Sequence, residues 1–206
     1  MSEKYHDYVF KKGKFMGKFE EMYQNEKLMG YCSWFQNDLR DYGYLMSLAI
    51  LHKYNFDRIL DIGCGEGLFT SLLKKCNNEV IGIDASKTAT NTARGCYKDI
   101  EFQTFSITGE NFHEVFCVYK VDFDLILFKE VLSYMKDWKD ILRQAQYHTE
   151  YVFISLDLPD HPVGFVKSFG ELMREFRKHY DVIVKVKIET KGNQMLILGS
   201  VKNAKI

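Results

Sequence analysis

The chain contains 206 residues, 46% of them hydrophobic, which predicts one domain with a substantial core and argues against a second full domain. Lysine plus arginine balances aspartate plus glutamate at 28 each, so the basic excess typical of nucleic-acid binders is missing. The N-terminus is charged, and no apolar run approaches the ~20 residues of a membrane span. The five cysteines show no CxxC spacing, so we predict a cytoplasmic protein with free thiols.

The N-terminal part of the chain is predicted to form a helical cap. Ser33 and Gln36 have the spacing of a capping box, so a helix is predicted over residues 34–54. The stretch before this helix is rich in aromatic and basic residues. Two interpretations stay open: the segment completes the core, or it is a lid in which Tyr23 and Trp34 cover a cofactor or an acceptor.

From residue 57 onward, strand-like and helix-like stretches alternate, which is typical of a parallel sheet covered by helices on both faces. Strands are predicted at residues 58–63, 79–84, 100–105, 123–128, 151–158, 182–189 and 195–201. Helices are predicted at residues 68–76, 87–97, 111–119, 137–148 and 165–180. The last two strands are joined by a link too short for a crossover helix, so they are predicted to form an antiparallel hairpin.

Three alternating glycines follow the first of these strands in LDIGCGEG, residues 60–67, behind the carboxylate of Asp61. Glycine weakens a strand or helix by about 0.5–1 kcal/mol relative to alanine, so three in one turn indicate close approach of a ligand. In GIDAS, residues 82–86, Asp84 ends the second strand 21 residues after Gly63. A carboxylate there can accept hydrogen bonds from both ribose hydroxyls, so the two motifs predict a nucleoside-cofactor site rather than a purely structural turn.

The spacing of the loop bears on which cofactor it holds. It reads G-x-G-x-G rather than the G-x-G-x-x-G of dinucleotide sites, and Glu66 stands where an anionic pyrophosphate would bind. A cofactor with an amino group and a sulfonium suits these carboxylates better. In LDIGCGEG, GIDAS and FDLILFKEVLSYM the chain resembles the class I S-adenosylmethionine-dependent methyltransferases. Less specifically, FMGKFEEMYQN is similar to small-molecule methyltransferases of bacterial surface-polysaccharide and nodulation-factor pathways.

The resemblance implies an α/β fold in which residues 57–206 form the cofactor-binding domain and residues 1–56 the helical cap. The sheet would be Rossmann-like and doubly wound, with seven strands, mostly parallel, and an antiparallel last strand. The resemblance also implies the cofactor contacts. Asp84 would hold the ribose, and Phe128 and Lys129 would close the site. The methionine part would contact Asp61, Gly63, Cys64, Gly65 and Gly67, and the adenine would contact Ala85, Ser86 and the backbone of Ser106 and Ile107. Ser106 stands where the family often has an acid.

Methyl transfer from a sulfonium requires in-line alignment, and it requires a base only if the acceptor must lose a proton. Glu130 is either that base or, as we favour, a carboxylate at the positive end of the following helix. Tyr134 stands where relatives often carry histidine, and packing is its commoner role. His161 lies in DLPDHPVG, a loop stiffened by both prolines of the chain, and can accept a proton, although a surface turn is the commoner setting.

The predicted acceptor is a small polar molecule. Methyltransferases acting on exocyclic amines of nucleic-acid bases usually carry [DN]-P-P-[YF] after the fourth strand, and this chain has FKEV there. We predict transfer to an O or N atom of an acceptor such as a sugar or a capsule or polysaccharide precursor, with S-adenosylhomocysteine as product. No metal, nucleic acid or membrane partner is predicted. The alternatives are a binding module without transfer and a nicotinamide-dependent oxidoreductase.

Overall fold

The computed structural model describes residues 5–34, 38–189 and 193–202. The N-terminal part forms α1 (Tyr5–Val9), β1 (Phe10–Lys11), β2 (Lys14–Phe15), α2 (Phe19–Met29) and α3 (Tyr42–His52). β1 and β2 pair as a short antiparallel hairpin, which the sequence does not predict.

The predicted helix over residues 34–54 is wrong at its start, because α3 begins at Tyr42. Its N-cap is Asp41, whose side chain accepts a hydrogen bond from the Tyr44 backbone N–H at 2.9 Å. An aspartate in extended conformation satisfies helix amides in this way, and it competes with any earlier cap. The Gln36 half of the predicted capping box lies outside the described residues.

A seven-stranded sheet forms the centre of the molecule, and each strand matches one that the sequence predicts. The strands are β3 (Arg58–Ile62), β4 (Glu79–Asp84), β5 (Glu101–Thr104), β6 (Phe123–Lys129), β7 (Thr149–Asp157), β8 (Tyr180–Glu189) and β9 (Asn193–Val201). Their order is β5-β4-β3-β6-β7-β9-β8, and adjacent strands up to β7 are parallel. β9 runs antiparallel to both β7 and β8, which confirms the hairpin and the antiparallel last strand.

Helices cover both faces of this sheet, as the doubly wound prediction requires. They are α4 (Leu68–Leu72), α5 (Lys87–Cys96), α6 (Phe112–Tyr119), the 3-10 helix η1 (Leu132–Tyr134), α7 (Trp138–Ala145) and α8 (Phe169–His179). Side chains of α6, α7 and α8 pack in one apolar cluster with the sheet, and those of α3 and α4 pack in a second. None of the described helices has the length and apolar character that a membrane crossing requires.

The chain order of the strands reverses between β3 and β6. From β3 the chain proceeds through β4 to β5 at one edge, and then returns to β6 on the other side of β3. Ligands of open α/β sheets bind in the crevice that such a reversal leaves at the carboxyl ends of the strands. The glycine loop follows β3, so the topology brings it to this crevice together with the residues that follow β6.

Candidate active site

The glycine loop, residues 63–67, turns from β3 into α4 at the crevice. Gly63, Gly65 and Gly67 have φ values of 78°, 55° and 82°, a region that favours glycine. A Cβ on Gly63 would lie 2.5 Å from the Val131 side chain, and one on Gly67 would lie 2.7 Å from Phe102. The loop therefore excludes side chains at both ends, through its backbone conformation and through its close packing.

Asp84 is held against this loop at the end of β4. The Gly65 backbone N–H donates to its Oδ2 at 2.9 Å, and the Ser86 N–H donates to its Oδ1 at 2.8 Å. Burial raises the pKa of Asp84, and the two hydrogen bonds oppose that rise. The two bonds fix the orientation of the carboxylate, and each of its oxygens keeps a lone pair for a further donor.

Asp61 is a buried carboxylate on β3, 2% exposed, directly before the loop. The Thr70 hydroxyl donates to its Oδ2 at 2.7 Å. Its Oδ1 has no hydrogen-bond partner among the described residues. Burial raises the pKa of Asp61 to about 6, against the effects of the Thr70 bond and the Lys129 charge. A buried polar atom without a partner is costly, so Oδ1 is suited to a donor that the ligand supplies.

Lys129 ends β6 beside Asp61 and contacts two aromatic rings. Its ammonium lies 4.8 Å from the centroid of the Tyr44 ring and 5.2 Å from that of Phe69. Tyr44 is 4% exposed, and its hydroxyl has no hydrogen-bond partner within the described part of the chain. Burial raises the pKa of Tyr44, and the Asp61 charge adds to the effect. The sequence prediction includes Lys129 but misses Tyr44. Only recognition of Asp41 as the N-cap would have shown that Tyr44 lies in the first turn of α3.

Cys64 and Phe128 take part as packing residues. Cys64 is buried, and burial followed by the charges of Asp84 and Asp61 raises the pKa of its thiol well above the usual value. A raised pKa favours the neutral thiol, which is a weaker nucleophile than the thiolate. The Phe128 side chain is fully buried in the larger core cluster, so it does not close the site as predicted.

The adenine side of the predicted site lies between the start of α5 and the loop after β5. Ala85 and Ser106 are exposed there, and Ile107 is half-buried. The Phe105 N–H donates to the Asp84 backbone carbonyl at 2.9 Å, which holds the loop beside β4. Ser86 is fully buried, and its hydroxyl accepts the Ala89 N–H as the N-cap of α5.

α2 is attached to the start of α5 by Glu20, a residue that the sequence prediction misses. The Glu20 carboxylate accepts hydrogen bonds from the Ser86 hydroxyl at 2.7 Å, the Thr88 N–H at 3.0 Å and the Thr88 hydroxyl at 2.7 Å. Burial raises the pKa of Glu20, but these hydrogen bonds outweigh it and lower the pKa to about 2. Glu20 therefore attaches the N-terminal segment to Ser86, which follows Asp84 by two residues in the chain.

Aromatic residues of the N-terminal segment also contact η1, which follows β6. The Tyr134 ring centroid lies 5.6 Å from that of Phe19 and 5.9 Å from those of Phe10 and Trp34. Tyr23 lies 5.7 Å from Trp34 and packs in the same cluster as Ala89 of α5. We call these five aromatic residues, with Phe15, the aromatic cluster. It brings the predicted lid residues together with Tyr134 and extends from α5 to η1.

Glu130 does not act at a helix start, so that interpretation is wrong. The residue has φ of 56°, and its carboxylate turns towards β7 and β9. Its Oε1 accepts the Ser155 hydroxyl at 2.5 Å and the Gln194 side-chain amide at 2.7 Å, and its Oε2 accepts the Asp157 N–H at 2.7 Å. Glu130 therefore connects the carboxyl end of β7 with the start of β9.

His161 is exposed in the loop between β7 and α8. The two ends of this loop are anchored by backbone hydrogen bonds, from Leu158 N–H to the Asn193 carbonyl at 2.9 Å and from Phe165 N–H to the Ser133 carbonyl at 2.7 Å. A Cβ on Gly164 would lie 2.6 Å from the Ser133 carbonyl, so the loop packs directly on η1. The structure thus brings the loops of His161 and Tyr134 together.

A family model described as a methyltransferase domain matches residues 23–188. The chain belongs to this methyltransferase family. Among curated proteins, no match to its sequence is found. The family favours methyl transfer over the nicotinamide-dependent alternative.

The fold of this methyltransferase is similar to several solved structures. The N-methyltransferase NodS from Bradyrhizobium japonicum WM9, in complex with S-adenosyl-L-homocysteine, gives a TM-score of 0.67 at 15% identity over 89% of this chain and 98% of NodS. Magnesium protoporphyrin IX methyltransferase (ChlM) from Synechocystis PCC 6803, with bound SAH, gives 0.67 at 12% identity over 89% and 96%. A TehB-like SAM-dependent methyltransferase from Corynebacterium glutamicum gives 0.60 at 16% identity over 89% and 96%. At these identities the likeness concerns the fold.

The residues of the site fit S-adenosylmethionine. The cofactor carries an ammonium and a sulfonium, and two carboxylates lie at the glycine loop: Asp61 directly before it on β3, and Asp84 bonded to the Gly65 N–H. Asp61 Oδ1 is buried without a partner among the described residues, and the loop excludes the β-carbons of Gly63 and Gly67. The enzyme is an S-adenosylmethionine-dependent methyltransferase. Within the described residues, no group of histidine, cysteine, aspartate and glutamate side chains is arranged to hold a metal ion.

Proposed function

We propose that the methyltransferase transfers its methyl group to an oxygen or nitrogen atom of a small polar acceptor, with a sugar or a polysaccharide precursor as the first candidate. The observation that carries this proposal is the packing of the aromatic cluster on Tyr134 of η1, just after the carboxyl end of β6. Apolar and aromatic walls beside a few polar groups suit a small acceptor rather than a long polymer. The N-terminal similarity to small-molecule methyltransferases supports the same choice.

The cofactor would be held by residues around the glycine loop. Asp84 would accept the ribose hydroxyls, and Asp61 Oδ1 would accept the ammonium. The Lys129 ammonium and the Tyr44 hydroxyl suit the cofactor carboxylate, since both lie beside Asp61. When bound, S-adenosylmethionine supplies an electrophilic methyl group whose loss leaves a neutral thioether.

The acceptor would bind between η1 and the carboxyl end of β7. Glu130 would orient it, because Oε2 accepts one hydrogen bond from the chain and has capacity for another. The pKa of Asp157 is raised by burial and then by the charge of Glu130. Two neighbouring carboxylates would favour acceptors with hydroxyl or amine donors. His161 would take the proton that such an acceptor loses. Tyr134 would contribute its ring to the walls of the site.

The test is turnover with a panel of sugars, amino sugars and simple amines, followed by transfer of labelled methyl. His161→Ala should lower kcat by ~10²-fold while leaving the affinity for the cofactor unchanged. His113→Ala, at an exposed histidine on α6, is the matched control and should behave as wild type. Wild-type rates in His161→Ala would remove His161 from the mechanism. Cofactor binding without turnover on any acceptor would favour the binding module.

A further inference from the structure

Gly43, the second residue of α3, is buried against a side chain of β9. A Cβ added to Gly43 would lie 1.7 Å from the Oε1 of Gln194, which is closer than the 2.5 Å found at Gly63. Alanine is a better helix former than glycine, so helix propensity does not account for this residue. Close approach does, because α3 could not come so near to Gln194 with a side chain at position 43.

The amide of Gln194 is held on its other side by two polar groups. Its Nε2 donates to the Glu130 Oε1 at 2.7 Å and to the Ser155 hydroxyl at 3.2 Å. The fully buried Ser155 donates its own proton to the same Glu130 oxygen. Hydrogen bonds to a carboxylate are stronger than those between neutral groups. The amide therefore forms a fixed limit against which the first turn of α3 packs.

The same turn of α3 carries Tyr44, the residue after Gly43. The Tyr44 ring packs in one apolar cluster with Leu196 and Leu198 of β9, and it lies 4.8 Å from the Lys129 ammonium. The Tyr44 hydroxyl is buried and has no hydrogen-bond partner in the part of the chain that the structure describes. Because Gly43 and Tyr44 are adjacent in one helix, the contact that limits Gly43 also determines where this hydroxyl lies.

We infer that Gln194 is a positioning residue of this methyltransferase. Its amide sets how closely α3 approaches β9, and so it fixes the Tyr44 hydroxyl for the carboxylate of S-adenosylmethionine. A hydroxyl that is already in place binds without a further loss of conformational entropy. Gln194 acts in this way without touching the cofactor. This inference rests on the cofactor contacts of the proposed function and not on its acceptor.

The experiment is calorimetric titration of the full chain with S-adenosylhomocysteine and, separately, with methylthioadenosine. The second probe keeps the adenosine and the thioether sulfur but lacks the amino-acid part with its carboxylate. Gln194→Ala should weaken S-adenosylhomocysteine about fivefold, as for one lost hydrogen bond, and leave methylthioadenosine unchanged. Tyr44→Phe, which removes the hydroxyl itself, should give the same pattern. A merely structural role of Gln194 would not separate the two probes.

Gly43→Ala tests the same contact from the side of the helix. The added Cβ must displace the Gln194 amide or move α3 away from β9, so S-adenosylhomocysteine alone should weaken. Removing the amide makes room for this Cβ, so Gly43→Ala combined with Gln194→Ala should bind no more weakly than Gly43→Ala alone. Gly170→Ala is the matched control and should change neither affinity. Gly170 is likewise the second residue of its helix, α8, and an added Cβ there makes only an ordinary contact, 3.8 Å from the Ser168 hydroxyl.

The outcomes separate the inference from the proposed function. Equal weakening of both probes in a folded Gln194→Ala variant, or additive effects in the double variant, would overturn the inference. If Tyr44→Phe weakens S-adenosylhomocysteine and Gln194→Ala does not, the inference fails while the proposed cofactor contact stands. If Tyr44→Phe has no effect, that contact fails and the inference fails with it. The expected pattern in a chain that methylates no small polar acceptor would count against the proposed acceptor alone.

Discussion

The glycine loop and the N-terminal segment meet at the same end of the sheet, but they are held there differently. Backbone hydrogen bonds fix the loop, with the N–H groups of Gly63 and Cys64 both donating to the Ile83 carbonyl, at 2.7 and 3.0 Å. The segment is attached to α5 and η1 mainly by side chains, through Glu20 and the aromatic cluster. Surface elements attached through side chains open at lower free energy than strands of the core. We therefore propose that the loop sets the geometry of binding, while the segment sets access.

The largest expected effect comes from changing the backbone of the loop. Gly63→Ala adds a side chain at φ of 78°, where its Cβ would lie 2.5 Å from Val131. The left-handed conformation and the overlap together should lower the free energy of unfolding by ~2–4 kcal/mol. Cofactor binding should be lost with it. Chemical denaturation and calorimetry measure the two effects.

Gly13→Ala is the matched control for this change. Gly13 has φ of 75° in the N-terminal hairpin, and an added Cβ there meets nothing within 4 Å. It should therefore show the conformational cost alone, ~1–2 kcal/mol, with cofactor affinity kept. Equal effects of the two substitutions would mean that the close packing at Val131 is unimportant.

Asp84→Ala tests the predicted contact between the Asp84 carboxylate and the ribose of the cofactor. The substitution removes the acceptor of the predicted ribose bonds and leaves the Gly65 and Ser86 N–H groups without their partner. Cofactor affinity should fall by ~1–3 kcal/mol in calorimetry. Circular dichroism checks that the variant is folded. Unchanged affinity in a folded variant would show that Asp84 does not hold the cofactor.

The loop and the strands around it could be predicted because their signals are local. The alternation of apolar runs gives all seven strands, and the spacing from Gly63 to Asp84 spans one strand–helix–strand unit. Residues that lie close in such a unit are close in the sequence, so a motif describes their geometry. The same motifs do not show which side chains are buried, so they could not predict that Cys64 and Phe128 pack in the core.

The acceptor end could not be predicted to the same degree, because long-range contacts assemble it. Glu130 follows a strand and precedes a helix, which locally favours a helix-start role, yet Ser155 and Gln194 determine where its carboxylate lies. The resemblance of FMGKFEEMYQN does not single out Glu20, and Glu26 lies outside it. Only the packing of the N-terminal segment gives Glu20 its partners on α5 and leaves Glu26 buried. Tyr44 likewise depends on where α3 begins.

The smallest effect that we expect comes from the attachment of the segment. Glu20→Gln weakens the hydrogen bonds to Ser86 and Thr88, which should lower the free energy of unfolding by ~0.5–1.5 kcal/mol at pH 7. Because closure becomes less favourable, the cofactor should dissociate several-fold faster in stopped-flow displacement. Glu21→Gln controls for the loss of one charge from α2 and should change stability by less than ~0.5 kcal/mol.

The pH dependence separates this attachment from an ordinary surface charge. The pKa of Glu20 falls from 4.5 to about 2 in the folded protein, so its stabilisation is complete above pH 4.5 and is lost as the pH falls towards 2. The difference in melting temperature between wild type and Glu20→Gln should therefore be constant from pH 7 to 5 and shrink between pH 4.5 and 2. A constant difference down to pH 2.5 would mean that the ionised Glu20 carboxylate does not attach α2. The aromatic cluster would then be the only side-chain attachment of the N-terminal segment on which the contrast with the glycine loop rests.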